Sequence, residues 1–129
     1  MDLANASIGQ LMIPVEDLDQ GVAFYRDTLG LPFLFMAPPQ MAFFICGAVR
    51  LLVGVLPPGQ PRARASAIYF RVDDIEAVAA ALVAKGVVFA APPHIVHRTA
   101  STALWLANFN DPDGNPLALM CELPLAAAA

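Results

Sequence analysis

The sequence predicts an α+β fold: two β-α-β-β-β modules in one chain, an eight-stranded mixed-sheet architecture in a single domain over 1–129. Three observations predict it. The chain repeats itself, since Ile13-Pro14-Val15-Glu16-Asp17-Leu18 returns as Phe70-Arg71-Val72-Asp73-Asp74-Ile75, each an apolar strand ending in acids that open a helix. The helix exits repeat too, as Leu29-Gly30-Leu31-Pro32-Phe33 and Lys85-Gly86-Val87-Val88-Phe89, each followed by Ala-Pro-Pro at 37–39 and 91–93. Finally, Asp111-Pro112-Asp113-Gly114 fits a tight turn, with proline presetting φ at its second position and glycine suiting the fourth.

Module one, 7–56, opens with a strand near 7–14. Asp17 with Gln20 three residues on reads as an N-cap with a capping box, and Leu18, Val22, Tyr25 and Leu29 form one apolar helical stripe. Gly30 stands where a helix exit favours the left-handed conformation. Strands follow near 31–36, 40–46 and 48–55, and the prolines and charges of 57–64 mark a linker. Module two, 65–122, opens with a strand near 65–72. Its helix starts at Asp73 or Asp74, with Glu76 favouring the former, and carries Ile75, Val78, Ala79 and Leu82 on one face. Strands are predicted near 87–91, 102–109 and 115–122, with 94–99 left open and a frayed tail over 123–129.

Composition narrows the function. Apolar residues make up 58% of the chain and charged residues 14%, against about 25% charged in ordinary soluble domains, so burial is plentiful. A net charge of −4 without any basic run excludes a phosphate-backbone partner, so no nucleic acid is expected. No apolar run reaches the ~20 residues that span a bilayer. Met1-Asp2-Leu3-Ala4 has neither a basic nor an apolar leader region, so a cytoplasmic protein is expected. Cys46 and Cys121 sit in apolar stretches with no basic neighbour to activate them, and are expected to be plain thiols.

The segments Asp17-Leu18-(x)5-Phe24-Tyr25-(x)3-Leu29-Gly30-Leu31 and Asp111-Pro112-Asp113-Gly114-Asn115, with the internal repeat, resemble the vicinal oxygen chelate superfamily. That superfamily includes glyoxalase I, bleomycin-resistance proteins, fosfomycin-resistance enzymes and extradiol dioxygenases. The resemblance covers about 7–122 and implies modules curled into cups, often paired in homodimers. It also implies four metal-ligand positions, which fall on Gln10, Leu52, Ala67 and Ala118. Three are hydrocarbon, and one neutral amide oxygen cannot hold a divalent cation against water, so no metal or other cofactor is expected.

Strand parity then gives the concave wall Gln10, Met12, Arg50, Leu52, Ala67, Tyr69, Ala118 and Met120, a mostly apolar surface suited to a small apolar or aromatic ligand. The opposite faces, with Leu11, Ile13, Val15, Ile68, Phe70, Val72, Leu117, Leu119 and Cys121, are expected beneath the helices. Trp105 is added as a stacking wall of the ligand site. His94, Tyr69 and Glu122 are the candidate proton-transfer groups. His94 and His97 sit three apart in an extended stretch, which places them on opposite sides, and His94 is the one expected at the pocket.

These readings converge on a metal-independent cytoplasmic homodimer that binds a small, largely apolar or aromatic molecule. Two mechanisms fit: bleomycin-resistance-like sequestration, or a cofactor-free lyase, isomerase or hydrolase. The resemblance also admits a metal-dependent glyoxalase-like enzyme or extradiol dioxygenase, which the ligand positions oppose. Bleomycin itself is disfavoured, since a large cationic drug prefers an acidic cleft and the wall has few carboxylates.

Overall fold

The structure, a computed structural model, describes residues 2–59 and 66–125. The chain divides into two compact units, Met1–Ala65 and Ser66–Ala129, and each holds one four-stranded mixed sheet. Among the described residues no helix is long and apolar enough to cross a membrane.

The first unit runs β1 (Gln10–Pro14), α1 (Leu18–Val22), β2 (Phe33–Ala37), β3 (Met41–Cys46) and β4 (Val49–Gly54), in sheet order β1-β4-β3-β2. The helix carries the chain across the sheet, so β1 lies parallel to β4, while β2, β3 and β4 pair as antiparallel hairpins. Asp17 caps α1 as its spacing predicts, its carboxylate accepting from the Gln20 N–H at 2.9 Å. The predicted single α-helix is corrected from Ala23 onward: Ala23–Thr28 is π-helical, and the Leu29 N–H reaches back to the Phe24 carbonyl at 2.9 Å. The wider turn still brings Tyr25 into the core, fully buried with its ring 6.2 Å from that of Phe44. Around them Ile13, Val15, Val22, Leu51 and Val53 close the core beneath the helix, whereas Leu11, expected there, is partly exposed at 37%.

The second unit runs β5 (Ile68–Arg71), α2 (Ile75–Ala84), β6 (His94–Arg98), β7 (Thr102–Asn110) and β8 (Pro116–Pro124), in sheet order β5-β8-β7-β6. Asp74, not Asp73, caps α2, accepting from the Ala77 N–H at 3.1 Å. The strand predicted at 87–91 does not form. Val87 gives its N–H to the Leu82 carbonyl at the helix exit and buries its side chain, and the prolines at 92 and 93 lack N–H groups. The strand forms one segment later, as β6, in the stretch left open from sequence. Gly30 and Gly86 take φ of +75° and +96°, the left-handed helix exits that their positions predicted.

The Asp111-Pro112-Asp113-Gly114 turn joins β7 to β8 and is held from within. The buried Asp111 carboxylate accepts from the N–H groups of Asp113 and Asn115, both at 2.9 Å, and from Asn115 Nδ2 at 2.7 Å. β8 extends further than predicted: Leu123 and Pro124 still pair with Ala103 and Thr102, so the tail is strand at 123 and 124, and 126–129 lies outside the described residues. Of the predicted linker, 60–64 also lies outside them.

Candidate functional site

In the first unit the strand registers align residues in rows across the sheet. One row runs Met12, Leu52, Phe43, Phe35 and the next Gln10, Arg50, Ile45. All lie on the face opposite Ile13, Leu51 and Val53, away from the helix. The predicted wall residues Gln10, Met12, Arg50 and Leu52 are therefore neighbours. Arg50 Nε donates to Gln10 Oε1 at 2.8 Å, and its guanidinium carbon stands 5.2 Å from the Phe43 ring centre. Phe43 in turn stacks on Phe35, with centroids 4.6 Å apart and planes 28° from parallel. Met12 and Phe35 remain 43% and 46% exposed, whereas Phe43 is buried beneath Phe35, so a ligand would meet Met12 and Phe35 rather than the Phe43 ring.

Sequence reasoning missed Phe35 and Phe43. The signal was present for Phe43: the short β3–β4 hairpin sets Ile45 opposite Arg50, so counting back two places Phe43 opposite Leu52, already on the wall.

In the second unit the corresponding face holds Tyr69, Ala118, Met120 and Glu122, with Asn108, Leu106 and Leu104 across from the last three on β7. Ala67 stands exposed one residue before β5 rather than within a strand. Ala118 is fully buried, so it is packed into the sheet centre and offers no open wall. Glu122 accepts from Arg71 Nη1 at 3.4 Å, a long pairing between exposed side chains near the end of β8. Tyr69 is half exposed.

Two expectations about this unit are corrected. His94 pairs opposite Leu106 and His97 opposite Leu104, because a bulge between Ile95 and His97 inserts one residue and brings both imidazoles to the same face. Trp105 pairs with Cys121 and Ile95 on the opposite, helix-side face, away from Tyr69 and Met120. It lines a hollow of about 330 Å³ with Ile75 and Leu123 beside the start of α2. The hairpin count also applied here, since Trp105 opposite Cys121 follows from the Asp111–Gly114 turn.

His94 Nδ1 lies 2.8 Å from the Pro92 carbonyl. A carbonyl only accepts, so Nδ1 is the donor, and in the neutral imidazole Nε2 is the nitrogen that can accept. Burial pushes the Cys46 thiol up from its ordinary value.

The metal that the resemblance implies does not fit these donors. Gln10 Oε1 is already taken by Arg50, and Leu52, Ala67 and Ala118 bring only carbon. Among the described residues no three His, Cys, Asp or Glu side chains gather as a metal site.

Residues 7–119 match the family described as the Glyoxalase/Bleomycin resistance protein/Dioxygenase superfamily. No curated protein matches the chain. Among solved structures it is similar to TnmS3, an antibiotic binding protein from Streptomyces sp. CB03234, at 25% identity over 95% of this chain and 100% of that one, TM-score 0.73. A glyoxalase/bleomycin resistance protein from the same Streptomyces is 27% identical over 88% of this chain and 98% of its own, TM-score 0.66. Lactoylglutathione lyase from Agrobacterium tumefaciens shares the fold, at 23% identity over 90% and 93% of the two chains, TM-score 0.72.

Proposed function

This chain belongs to the Glyoxalase/Bleomycin resistance protein/Dioxygenase superfamily, and from that membership we propose that it binds and sequesters a small, largely apolar or aromatic molecule without a metal. The observation that carries this reading is the row Met12, Leu52, Phe43, Phe35 on the face away from the helix, an apolar surface whose exposed members are Met12 and Phe35, with the buried Phe43 stacked beneath Phe35 as its support. Burying such area against a ligand ring returns about 25 cal/mol per Å², and an aromatic pair adds about 0.5–1.5 kcal/mol. Similarity to an antibiotic binding protein supports binding over turnover.

The test is calorimetric titration of a neutral two-ring probe, 2-naphthamide, in chelator-containing buffer, with Phe35→Ala as the variant. Phe35 is half exposed, so its truncation spares the fold. Binding about three- to tenfold weaker in the variant is expected from the lost stacking. Equal binding by both proteins, or binding only after metal is added, refutes the reading.

One observation favours a second reading, cofactor-free acid–base chemistry. His94, whose Nδ1 is held by the Pro92 carbonyl, shares its sheet face with Tyr69 and Glu122. With a substrate in hand, His94→Gln or Tyr69→Phe removing turnover while sparing affinity would establish it, since proton transfer contributes about 10²–10⁴-fold. A homodimer belongs to the same proposal, supported by Leu34 and Met36, half exposed on the sheet-edge strand β2. A monomer in sedimentation at micromolar concentration removes the dimer.

A further inference from the structure

The four strands of the first unit carry one charged side chain among them, Arg50. Its neighbours on the open face are Gln10 on β1 and Ile45 on β3, so nothing beside it neutralises the charge. Nε is occupied by Gln10 Oε1, and the guanidinium carbon stands over the Phe43 ring. The terminal nitrogens, with four N–H groups, meet no carboxylate among the described residues. An uncompensated planar cation thus borders the row Met12, Leu52, Phe43, Phe35, whose four strands span roughly 14 Å at the usual strand spacing.

We propose that this face selects planar aromatic carboxylates, a ligand class that deepens the apolar-binding reading above and rests on it. The ligand ring covers the exposed apolar side chains of that row, Met12 and Phe35, and the part-exposed Leu52, with the buried Phe43 beneath them. Its carboxylate meets the free edge of the Arg50 fork, where two parallel N–H···O bonds are the favoured geometry. Gln10 is a positioning residue: its amide oxygen holds Nε, leaves both terminal nitrogens for another acceptor, and keeps the positive charge intact because it is neutral. A carboxylate at position 10 would hold the guanidinium equally well but cancel its charge. The amide is therefore the feature that keeps Arg50 open to an external anion.

The experiment compares 2-naphthoate with 2-naphthamide, isosteric probes differing in charge, by calorimetric titration in chelator-containing buffer. The wild-type protein is expected to bind the naphthoate about tenfold more tightly, the low end for a charge-assisted pair because Arg50 is exposed. Gln10→Glu and Arg50→Gln should each bring the ratio of the two affinities to about one, and Arg50→Lys should restore part of it. Raising salt to about 1 M should shrink the wild-type ratio. Melting temperature checks that each variant is folded, and the ratio is a readout that a merely structural role of Gln10 would not move. If wild type binds both probes equally and Phe35→Ala weakens both, the apolar reading stands and the carboxylate inference falls. A ratio that survives both Gln10→Glu and Arg50→Gln places the carboxylate elsewhere and also overturns it. If neither probe binds at about millimolar concentration, both readings fall together.

Discussion

Replacing Asp111 with alanine tests the turn that joins the two longest strands of the second unit, and with it the scaffold beneath Met120 and Glu122. Asp111 is only 5% exposed, and its carboxylate satisfies the Asn115 N–H at 2.9 Å and Asn115 Nδ2 at 2.7 Å, both in buried hydrogen bonds. The Asp113 N–H, also at 2.9 Å, is only partly buried and can turn to water. Alanine therefore removes the acceptor of two buried hydrogen bonds. Losing such a bond costs about 1–3 kcal/mol, so a loss of about 2–6 kcal/mol is expected. For a chain of this size the midpoint of such a loss is roughly a 10–15 °C fall in melting temperature. Asp111→Asn separates the terms, since it keeps one oxygen for the two backbone donors but turns an NH₂ group toward Asn115 Nδ2. It should cost less, about 1–2 kcal/mol. Thermal and urea unfolding followed by circular dichroism reads both variants. An alanine variant melting within about 2 °C of wild type would refute the view that this carboxylate organises the turn.

Other perturbations discriminate between neighbouring claims. Phe44→Ala removes a fully buried ring packed against Tyr25 and Phe33 and should cost about 3–5 kcal/mol in urea unfolding, whereas Phe70, only partly buried, should cost clearly less. Equal losses at the two sites would contradict the core assignment. Zinc, nickel, iron or manganese should leave the melting temperature unchanged, because a site with Gln10 as its one donor gains no binding free energy to add to stability; a rise that chelator reverses would overturn this. Burial holds the Cys46 thiol protonated to higher pH, so at about pH 8 iodoacetamide should alkylate it more slowly than free cysteine, and faster as pH rises; mass spectrometry showing the reverse order refutes it.

Much of this protein was legible in its sequence because the interactions concerned are short-range. The Asp17 cap reaches three residues to Gln20, the Asp111 turn closes over four residues to Asn115, and Gly30 and Gly86 answer a backbone need at their own positions. The repeat of such local signals carried the β-α-β-β-β order and the place of each helix. Burial of Ile13, Leu117, Leu119 and Cys121 followed from strand alternation, which needs only a period of two.

What the tertiary structure decided depends on partners far along the chain. The bulge that sets His94 and His97 on one face exists only against β7, and no count along β6 reveals an extra residue. Ala118 matched the wall by parity, yet its burial is set by the strands on either side, β5 and β7. Gln10 and Arg50 lie 40 positions apart, and only the parallel pairing of β1 with β4 converts two separate polar handles into one oriented cation. Alternation assigns a residue to a face; it takes the registers of three strand pairs, each spanning a turn or a helix, to bring Phe35, Phe43, Leu52 and Met12 into a single row.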